Sequence, residues 1–259
     1  MTDASGPVVF DRAAGFYDAT RGFPPGIAER VAELFVAAGG LGASSRVVEI
    51  GIGTGRIARP LSERVAHVFG VDLSAAMLAR LAEQRGERHV WAVRADAAKL
   101  PFRDAFADAV IGVHVFHLIP AWGSVLAEAA RVLAPGGVLL HAAEEQTEAW
   151  ASWRARLDAE IGYEHVGVPR ARFETFPEDE GWLPAAPVRR LRFSRPITPR
   201  ALIDRIAQRT WSVTWRMSDE ELARAVDVLR GELTARFGDL DREAQVETGF
   251  WIRAYRPPA

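Results

Sequence analysis

The chain has 259 residues, of which 49% are hydrophobic and 25% charged, an ordinary globular composition that excludes disorder over most of its length. The net charge of -2 gives no overall field to draw the protein onto nucleic acid or acidic lipid. The sequence contains no cysteine, which excludes disulfides, thiolate metal sites and cysteine nucleophiles.

The N-terminal residues predict a flap followed by a helix. The start lacks a basic region followed by an apolar one, and the chain has no long apolar run, so we expect a cytoplasmic protein that does not enter a membrane. Phe10, Phe16 and Tyr17 precede the turn FPPG, and helical spacing follows from about residue 27 to 38. We assign residues 1–38 to this flap and helix.

Residues 46–143 alternate short apolar runs with amphipathic stretches. The runs are nearly continuous in apolar residues, which is typical of parallel strands covered on both faces. Two helices are expected between them, over 74–84 behind the N-cap Ser74 and over 122–133. This pattern predicts an α/β fold with a doubly wound, mostly parallel sheet and helices on both faces. The predicted strands are RVVEI at 46–50, HVFGV at 67–71, HVWAV at 89–93, DAVIGV at 108–113 and GVLLHAA at 137–143.

The chain beyond residue 143 predicts a helical cover and the remaining strands. We interpret 144–246 as substrate-covering insertions with the sixth strand, and 247–259 as a last, antiparallel strand of a seven-stranded sheet. The whole chain is predicted to be a single domain. The expected elements are helices near 148–161, 170–180, 199–209 and 219–237, and strands at 189–194 and 247–255.

The segment VVEIGIGTGRI at 47–57 predicts a cofactor loop between a strand and a helix. Gly51, Gly53 and Gly55 let the backbone turn tightly and leave the main chain bare for a ligand. The dinucleotide fingerprint requires a third glycine where Arg56 stands, and the Gly-Lys-Ser/Thr of a phosphate loop is absent. Glu49 would repel a pyrophosphate and attract an ammonium group. The loop therefore favours an uncharged or cationic ligand tail.

Two further acidic residues follow the next two strands. Asp72 ends the second strand, where a carboxylate can accept both hydroxyls of a ribose. Asp96 follows the third strand, where it could accept a hydrogen bond from an adenine amine. Because parallel strands end at one edge of the sheet, both side chains and Glu49 are expected to face one crevice. A ligand with a ribose, an adenine and an amino-acid end, but no phosphate, satisfies all three.

Four segments resemble the class I S-adenosylmethionine-dependent methyltransferases, specifically the small-molecule type related to the ubiquinone and menaquinone methyltransferases. They are VVEIGIGTG, GVDLSAAML, ADAAKLPFRDAFADAVI and RVLAPGGVLL, and the resemblance covers residues 46–143. It implies S-adenosylmethionine as cofactor and methyl transfer to O, N or C of a small-molecule acceptor. The implied cofactor-binding residues are Glu49, Gly51 and Gly53 at the methionine part, Asp72 at the ribose, Leu73, Met77, Asp96 and Ala97 at the adenine, His114 in the methyl-donor cleft, and Tyr17 and Arg21 from the flap.

The segment HVFHLIP, just after the fourth strand, provides the catalytic candidates. A histidine can act as general base for a hydroxyl or amine acceptor near neutral pH, and we hypothesise that His117 has this role. His114 and His117 could also suggest a metal. We predict none, because neither a third histidine nor a paired carboxylate lies nearby in the sequence.

Other functional classes stay open at this stage. The first alternative is a protein that binds S-adenosylmethionine as a sensor or scaffold without turnover. The second is a nicotinamide oxidoreductase, which the missing third glycine and Glu49 disfavour. Nucleic-acid binding through RRLRFSR at 189–195 is also disfavoured, because apolar and basic residues alternate there as in a half-exposed strand. We expect a monomer or a homodimer, and the sequence leaves the identity of the acceptor open.

Overall fold

The computed structural model describes residues 8–146 and 166–258, which group into two compact units. The first unit contains the described residues up to 144, then 166–191 and 250–258. The second contains residues 145–146 and 192–249. The helix predicted near 148–161 lies outside the described residues. Residues 166–191 therefore group with the predicted cofactor-binding core rather than with the rest of the predicted cover.

The central sheet confirms the predicted α/β fold. Its strands follow the order β3-β2-β1-β4-β5-β8-β6, with β7 paired to β8. Strands β1 to β5 pair in parallel, and the last strand is antiparallel. The two-residue strand β6 makes one strand more than the seven predicted. The bounds are β1 Arg46–Ile50, β2 His67–Asp72, β3 Val90–Arg94, β4 Ala107–Val113, β5 Leu133–Gln146, β6 Leu183–Pro184, β7 Arg189–Ile197 and β8 Ala244–Arg256.

The helices begin where the sequence supplies caps. Ser74 accepts a hydrogen bond from the Met77 amide at the start of α4, and Ser218 forms a capping box with Glu221 at the start of α8. The described helices are α1 Tyr17–Arg21, α2 Ile27–Gly39, α3 Ala58–Leu61, α4 Ala75–Gln84, α5 Trp122–Val132, α6 Phe176–Asp179, α7 Pro199–Ala207 and α8 Asp219–Phe237.

The helix predicted over 170–180 is wrong as a continuous element. The structure has a 3₁₀ turn at Arg170–Arg172 and then the short helix α6. Pro177 explains the break, because it has no amide hydrogen to donate back to the preceding turn and fits only the first turn of a new helix.

The core of the first unit lies around the central strands. Ile50 of β1, Val110 of β4 and Leu139 of β5 are fully buried, and α5 packs against this cluster through its apolar face. The prediction that every strand is covered on both faces is wrong for β3. Trp91 and Val93 are 42% and 45% exposed. The reason is that β3 lies at the sheet edge and residues 95–106, all described, form turns rather than a covering helix.

The second unit has its own apolar core. Leu202, Ile203 and Ile206 of α7 pack with Leu229 and Leu233 of α8 in one buried cluster. Within the described parts of the chain, no helix combines the length and the apolar character needed to cross a membrane.

Candidate active site

A cleft opens at the carboxyl ends of β1 to β4, where the topology brings the predicted site residues together. Its empty volume, including the part open to solvent, is about 740 Å³. Val8, Phe10, Val115, Leu118 and Ile119 also line it, and none of them had been predicted as a site residue. Of the predicted cofactor residues, the cleft is lined by Tyr17, Gly51, Gly53, Asp72, Leu73, Met77, Asp96, Ala97 and His114.

The loop after β1 needs its glycines for both conformation and space. Gly51, Gly53 and Gly55 have φ angles of +68°, +54° and +77°, in the left-handed region that side chains disfavour. A Cβ on Gly51 would lie 2.7 Å from Cγ2 of Val115. A ligand can therefore approach bare main chain here, as the sequence predicted.

Asp72 organises this loop and also faces the cleft. Its Oδ2 accepts a hydrogen bond from the Gly53 amide at 2.9 Å, and its Oδ1 accepts one from the Ser74 amide at 2.8 Å. Burial raises the pKa of Asp72, and these amide hydrogen bonds oppose that effect. Each carboxylate oxygen has a second lone pair, so both can still accept a hydroxyl. Asp96 likewise accepts the Ala98 amide at 2.9 Å through Oδ1 alone.

Glu49 is a buried carboxyl group with little around it to compensate a negative charge. The residue is 3% exposed, and its Oε2 has no hydrogen-bond partner among the residues that the structure describes. Burial raises the pKa of Glu49 to about 8. The positive charge of nearby Arg56 opposes this increase, and the negative charge of Asp72 adds to it. Glu49 is not itself one of the cleft-lining residues. A buried oxygen of this kind fits a cationic group, and the ammonium of an amino-acid ligand would supply one.

Arg56 joins the loop to β5 and to the flap, a role that sequence analysis missed. Its Nη1 donates to Oε1 of Glu144 at 2.6 Å and to the carbonyl oxygen of Arg21 at 2.9 Å. Its guanidinium also lies 4.5 Å from the ring centroid of Phe23. Arg21 thus contributes its backbone here, and it is not one of the cleft-lining residues. The only sequence signal was an arginine where a third glycine was expected.

The two histidines after β4 occupy different environments. His114 lines the cleft with a positive φ of +51°, and its Nε2 accepts a hydrogen bond from the Glu144 amide at 2.7 Å. His117 is half-buried on the 3₁₀ turn Phe116–Leu118, and its ring meets that of Phe173 edge-on at 5.3 Å. It does not line the cleft. General-base catalysis by His117, which a hydroxyl or amine acceptor would need, stays a prediction, and loss of turnover with such an acceptor in His117→Ala would support it.

The flap is held over the cleft by two aspartates. Asp11 Oδ1 accepts from the Ser74 hydroxyl at 2.6 Å and from the Ala76 amide at 3.2 Å, at the N-terminus of α4. Asp18 accepts from the Thr54 hydroxyl at 2.6 Å and from Nε2 of Gln84 at 2.9 Å. Every residue of α1 is at least partly exposed, so polar contacts rather than apolar burial dominate the attachment of this helix.

We expect Asp18→Ala to loosen the flap and weaken cofactor binding by about 5- to 30-fold, because two hydrogen bonds to a carboxylate are lost. Limited trypsin digestion should cut faster at Arg12 and Arg21, and calorimetry should show the weaker binding. Asp227→Ala removes an exposed aspartate of α8 and serves as the matched control. Unchanged digestion of the flap in Asp18→Ala would contradict this role.

His141 is a buried histidine on β5 that sequence analysis did not single out. Its Nε2 lies 2.7 Å from the Phe173 carbonyl oxygen, so it acts as the donor. Rings of Phe116, Phe173, Phe176 and Trp251 surround the imidazole. Burial lowers the pKa of His141 to about 4. The neutral form is therefore the one that fits the folded protein.

The stability of the protein should fall as the pH drops from about 6.5 towards 4. The unfolded chain binds a proton at His141 in this range and the folded chain does not, so each pH unit costs roughly 1 kcal/mol. His114, whose pKa is lowered by burial to about 3, acts in the same direction. Urea unfolding at several pH values gives the slope of the unfolding free energy against pH. This slope should be shallower for His141→Phe than for the wild type. The exposed His89→Phe should keep the wild-type slope, and equal slopes in all three proteins would refute the assignment.

The described residues 8–146 and 166–258 contain no group of three or more histidine, aspartate or glutamate side chains that could hold a metal ion. The cleft itself combines a bare-backbone loop, carboxylates at adjacent strand ends and a covering flap.

Comparison with known proteins agrees with this geometry. Residues 48–141 match a family model described as a methyltransferase domain. An uncharacterized methyltransferase of Mycobacterium bovis is 32% identical over 209 residues, which cover 79% of this chain and 78% of that protein. A malonyl-[acyl-carrier protein] O-methyltransferase of Geobacter sulfurreducens is 34% identical over 154 residues, or 57% of each protein. The chain spans about half the length of the first curated relatives that it matches, since the alignments cover 42% and 57% of those two proteins.

Solved structures share the fold. A candidate methyltransferase from Bacillus halodurans has a TM-score of 0.61 and 22% identity, with 88% of this chain and 98% of that chain covered. At this identity the likeness concerns the fold alone. The long alignment with the Mycobacterium bovis relative shows the family. From its fold, its loop after β1 and its sequence relatives, the chain belongs to the class I S-adenosylmethionine-dependent methyltransferases.

Proposed function

We propose that this protein transfers the methyl group of S-adenosylmethionine to a small-molecule acceptor. The observation that carries the proposal is the cleft in which Asp72 and Asp96 stand at neighbouring strand ends beside the loop of Gly51 and Gly53. The unpartnered carboxylate oxygen of Glu49 is the group that best fits the ammonium of the cofactor.

Each polar group has a proposed partner on the cofactor. Asp72 holds the ribose hydroxyls, and Asp96 with Ala97 holds the adenine amine and ring. Leu73 and Met77 pack beside the adenine, and the backbone at Gly51 and Gly53 contacts the methionine part together with Glu49. Tyr17 and Arg21 complete the site from the flap.

The cofactor supplies an electrophilic methyl group on a positively charged sulfur, and the protein supplies its position. Phe10 and Tyr17 of the flap line the cleft, where their rings would shield a bound cofactor from water. An aromatic face also attracts a cation, by about 0.5–2 kcal/mol. Holding the acceptor in line with the methyl group contributes on the order of 7–11 kcal/mol to such a reaction. Binding and orientation are therefore the main tasks of these residues.

The proposal is tested by measuring binding and transfer separately. Calorimetry with S-adenosylhomocysteine, the demethylated cofactor, should show a single site. Labelled S-adenosylmethionine with a panel of carboxylic acids, alcohols, phenols and amines should give a methylated product. Binding without transfer to any acceptor would favour the sensor or scaffold alternative. Absence of binding to either form of the cofactor would refute the proposal.

A further inference from the structure

His114 has a backbone conformation that is unusual for a residue other than glycine, at the point where the cleft meets β4. Its φ of +51° lies in the left-handed region, which non-glycine residues seldom adopt. Strained residues of this kind persist where the surrounding structure holds them, and they cluster at functional sites. The His114 amide donates to the Ala142 carbonyl at 3.2 Å, so β5 helps to hold this conformation.

The ring of His114 is fixed in one tautomer by its neighbour on β5. Because Nε2 accepts the Glu144 amide hydrogen at 2.7 Å, its lone pair is occupied and the ring proton resides on Nδ1. The Glu144 carboxylate is itself fixed by its ion pair with Arg56. Burial keeps the pKa of His114 low, so the ring stays neutral at physiological pH. Such a ring donates one hydrogen bond and has no lone pair left to accept a proton.

The charged groups that act on His114 belong to several elements of the fold. They come from Glu144 on β5, Arg56 after β1, Arg21 of α1 and the ring of His141, which burial keeps neutral. Arg56 is ion-paired with Glu144, so its charge is largely offset there. A ligand group that accepts a hydrogen bond and reacts without losing a proton, such as a carboxylate, would complement a neutral imidazole that can only donate.

We propose that His114 is an acceptor-binding residue whose Nδ1–H donates to a carboxylate oxygen of the acceptor, so that the enzyme converts a carboxylic acid into its methyl ester. This inference rests on the proposed function and specifies its acceptor. A carboxylate oxygen lone pair forms the bond to the methyl carbon, and the carbon–sulfur bond breaks with its electron pair passing to sulfur. The products are a neutral ester and S-adenosylhomocysteine. No proton is transferred, which matches a histidine that cannot accept one.

The first test compares acceptors that differ only in the reacting group. Acids from butanoate to dodecanoate, together with benzoate, are assayed beside the alcohols and amines of the same carbon skeletons. Ester formation from acids alone is expected. At saturating cofactor, kcat should be flat between about pH 6 and 8, because neither a carboxylic acid nor His114 titrates in that range.

The second test separates the donor from the backbone strain. His114→Gly accepts the positive φ and removes the imidazole, whereas His114→Asn also tolerates this conformation and keeps an amide donor. We expect KM for the best acid to rise at least tenfold in His114→Gly, with partial recovery in His114→Asn. The Kd for S-adenosylhomocysteine should change less than this KM in both variants.

The outcomes distinguish this inference from the proposed function. Methylation of an alcohol or amine in preference to the matched acid would overturn the inference and leave the proposed function standing. The inference would also be overturned if the protein bound S-adenosylhomocysteine but methylated none of the acids, or if the KM of His114→Gly for the acid were unchanged. A protein that does not bind S-adenosylhomocysteine at all would refute the proposed function itself.

Discussion

Asp72→Ala should weaken the binding of S-adenosylhomocysteine by about 10²- to 10⁴-fold, because two hydrogen bonds from ribose hydroxyls to a buried carboxylate are lost and such bonds contribute about 1.5–3 kcal/mol each. The variant also removes the acceptor of the Gly53 and Ser74 amides, so the loop after β1 loses its anchor. Both effects act in the same direction. Titration calorimetry measures the change directly.

Asp108→Ala is the matched control for this substitution. The Asp108 carboxylate also accepts a backbone amide, that of Arg46 at 2.7 Å, but it is not part of the cleft. Both variants should lose a similar amount of stability in urea unfolding, whereas only Asp72→Ala should lose cofactor affinity. Binding by Asp72→Ala within threefold of wild type would show that this carboxylate does not hold the ribose.

Cofactor affinity should depend on pH through Glu49, and Glu49→Gln should abolish that dependence. The pKa of Glu49 is raised to about 8 by burial, so the free protein carries this group protonated at neutral pH. An ammonium beside the carboxylate favours the ionised form, so binding releases a proton. The Kd should therefore fall about tenfold per pH unit as the pH rises towards 8, and then level off.

The released proton can be counted. Calorimetry at pH 7 in two buffers of different ionisation enthalpy should report close to one proton released per cofactor bound by the wild type and none by Glu49→Gln. Glu128→Gln changes a glutamate on α5 that pairs with Arg131, and it should retain the wild-type pH dependence. If Glu49→Gln kept that dependence, the titrating group would have to be another one.

Local patterns were enough to predict many of the residues that line the cleft. A strand that ends in Glu49-Ile-Gly51, and another that ends in Asp72, place these residues at strand ends whatever the rest of the fold does. Parallel pairing then brings them to one edge, because β1 lies between β2 and β4. Nine of the predicted cofactor residues line the cleft for this reason. The elements and their order are encoded by periodicity and caps within short windows.

The contacts that complete the site depend on packing between residues far apart in the chain. Arg56 and Glu144 are 88 residues apart, and Asp11 and Ser74 are 63 apart. No local pattern specifies such pairs, since each residue type is compatible with many partners until the sheet and flap are assembled. The exposure of Trp91 and the burial of His141 are likewise set by which faces other elements cover.

The sequence by itself therefore determined the strands, the bare-backbone loop and the acidic strand ends, because these follow from local conformational preferences and spacing. Only the tertiary structure decided the tautomer of His114, the attachment of the flap and the partner of Arg56. Those features depend on hydrogen bonds and charges that exist only once distant segments meet in a buried site.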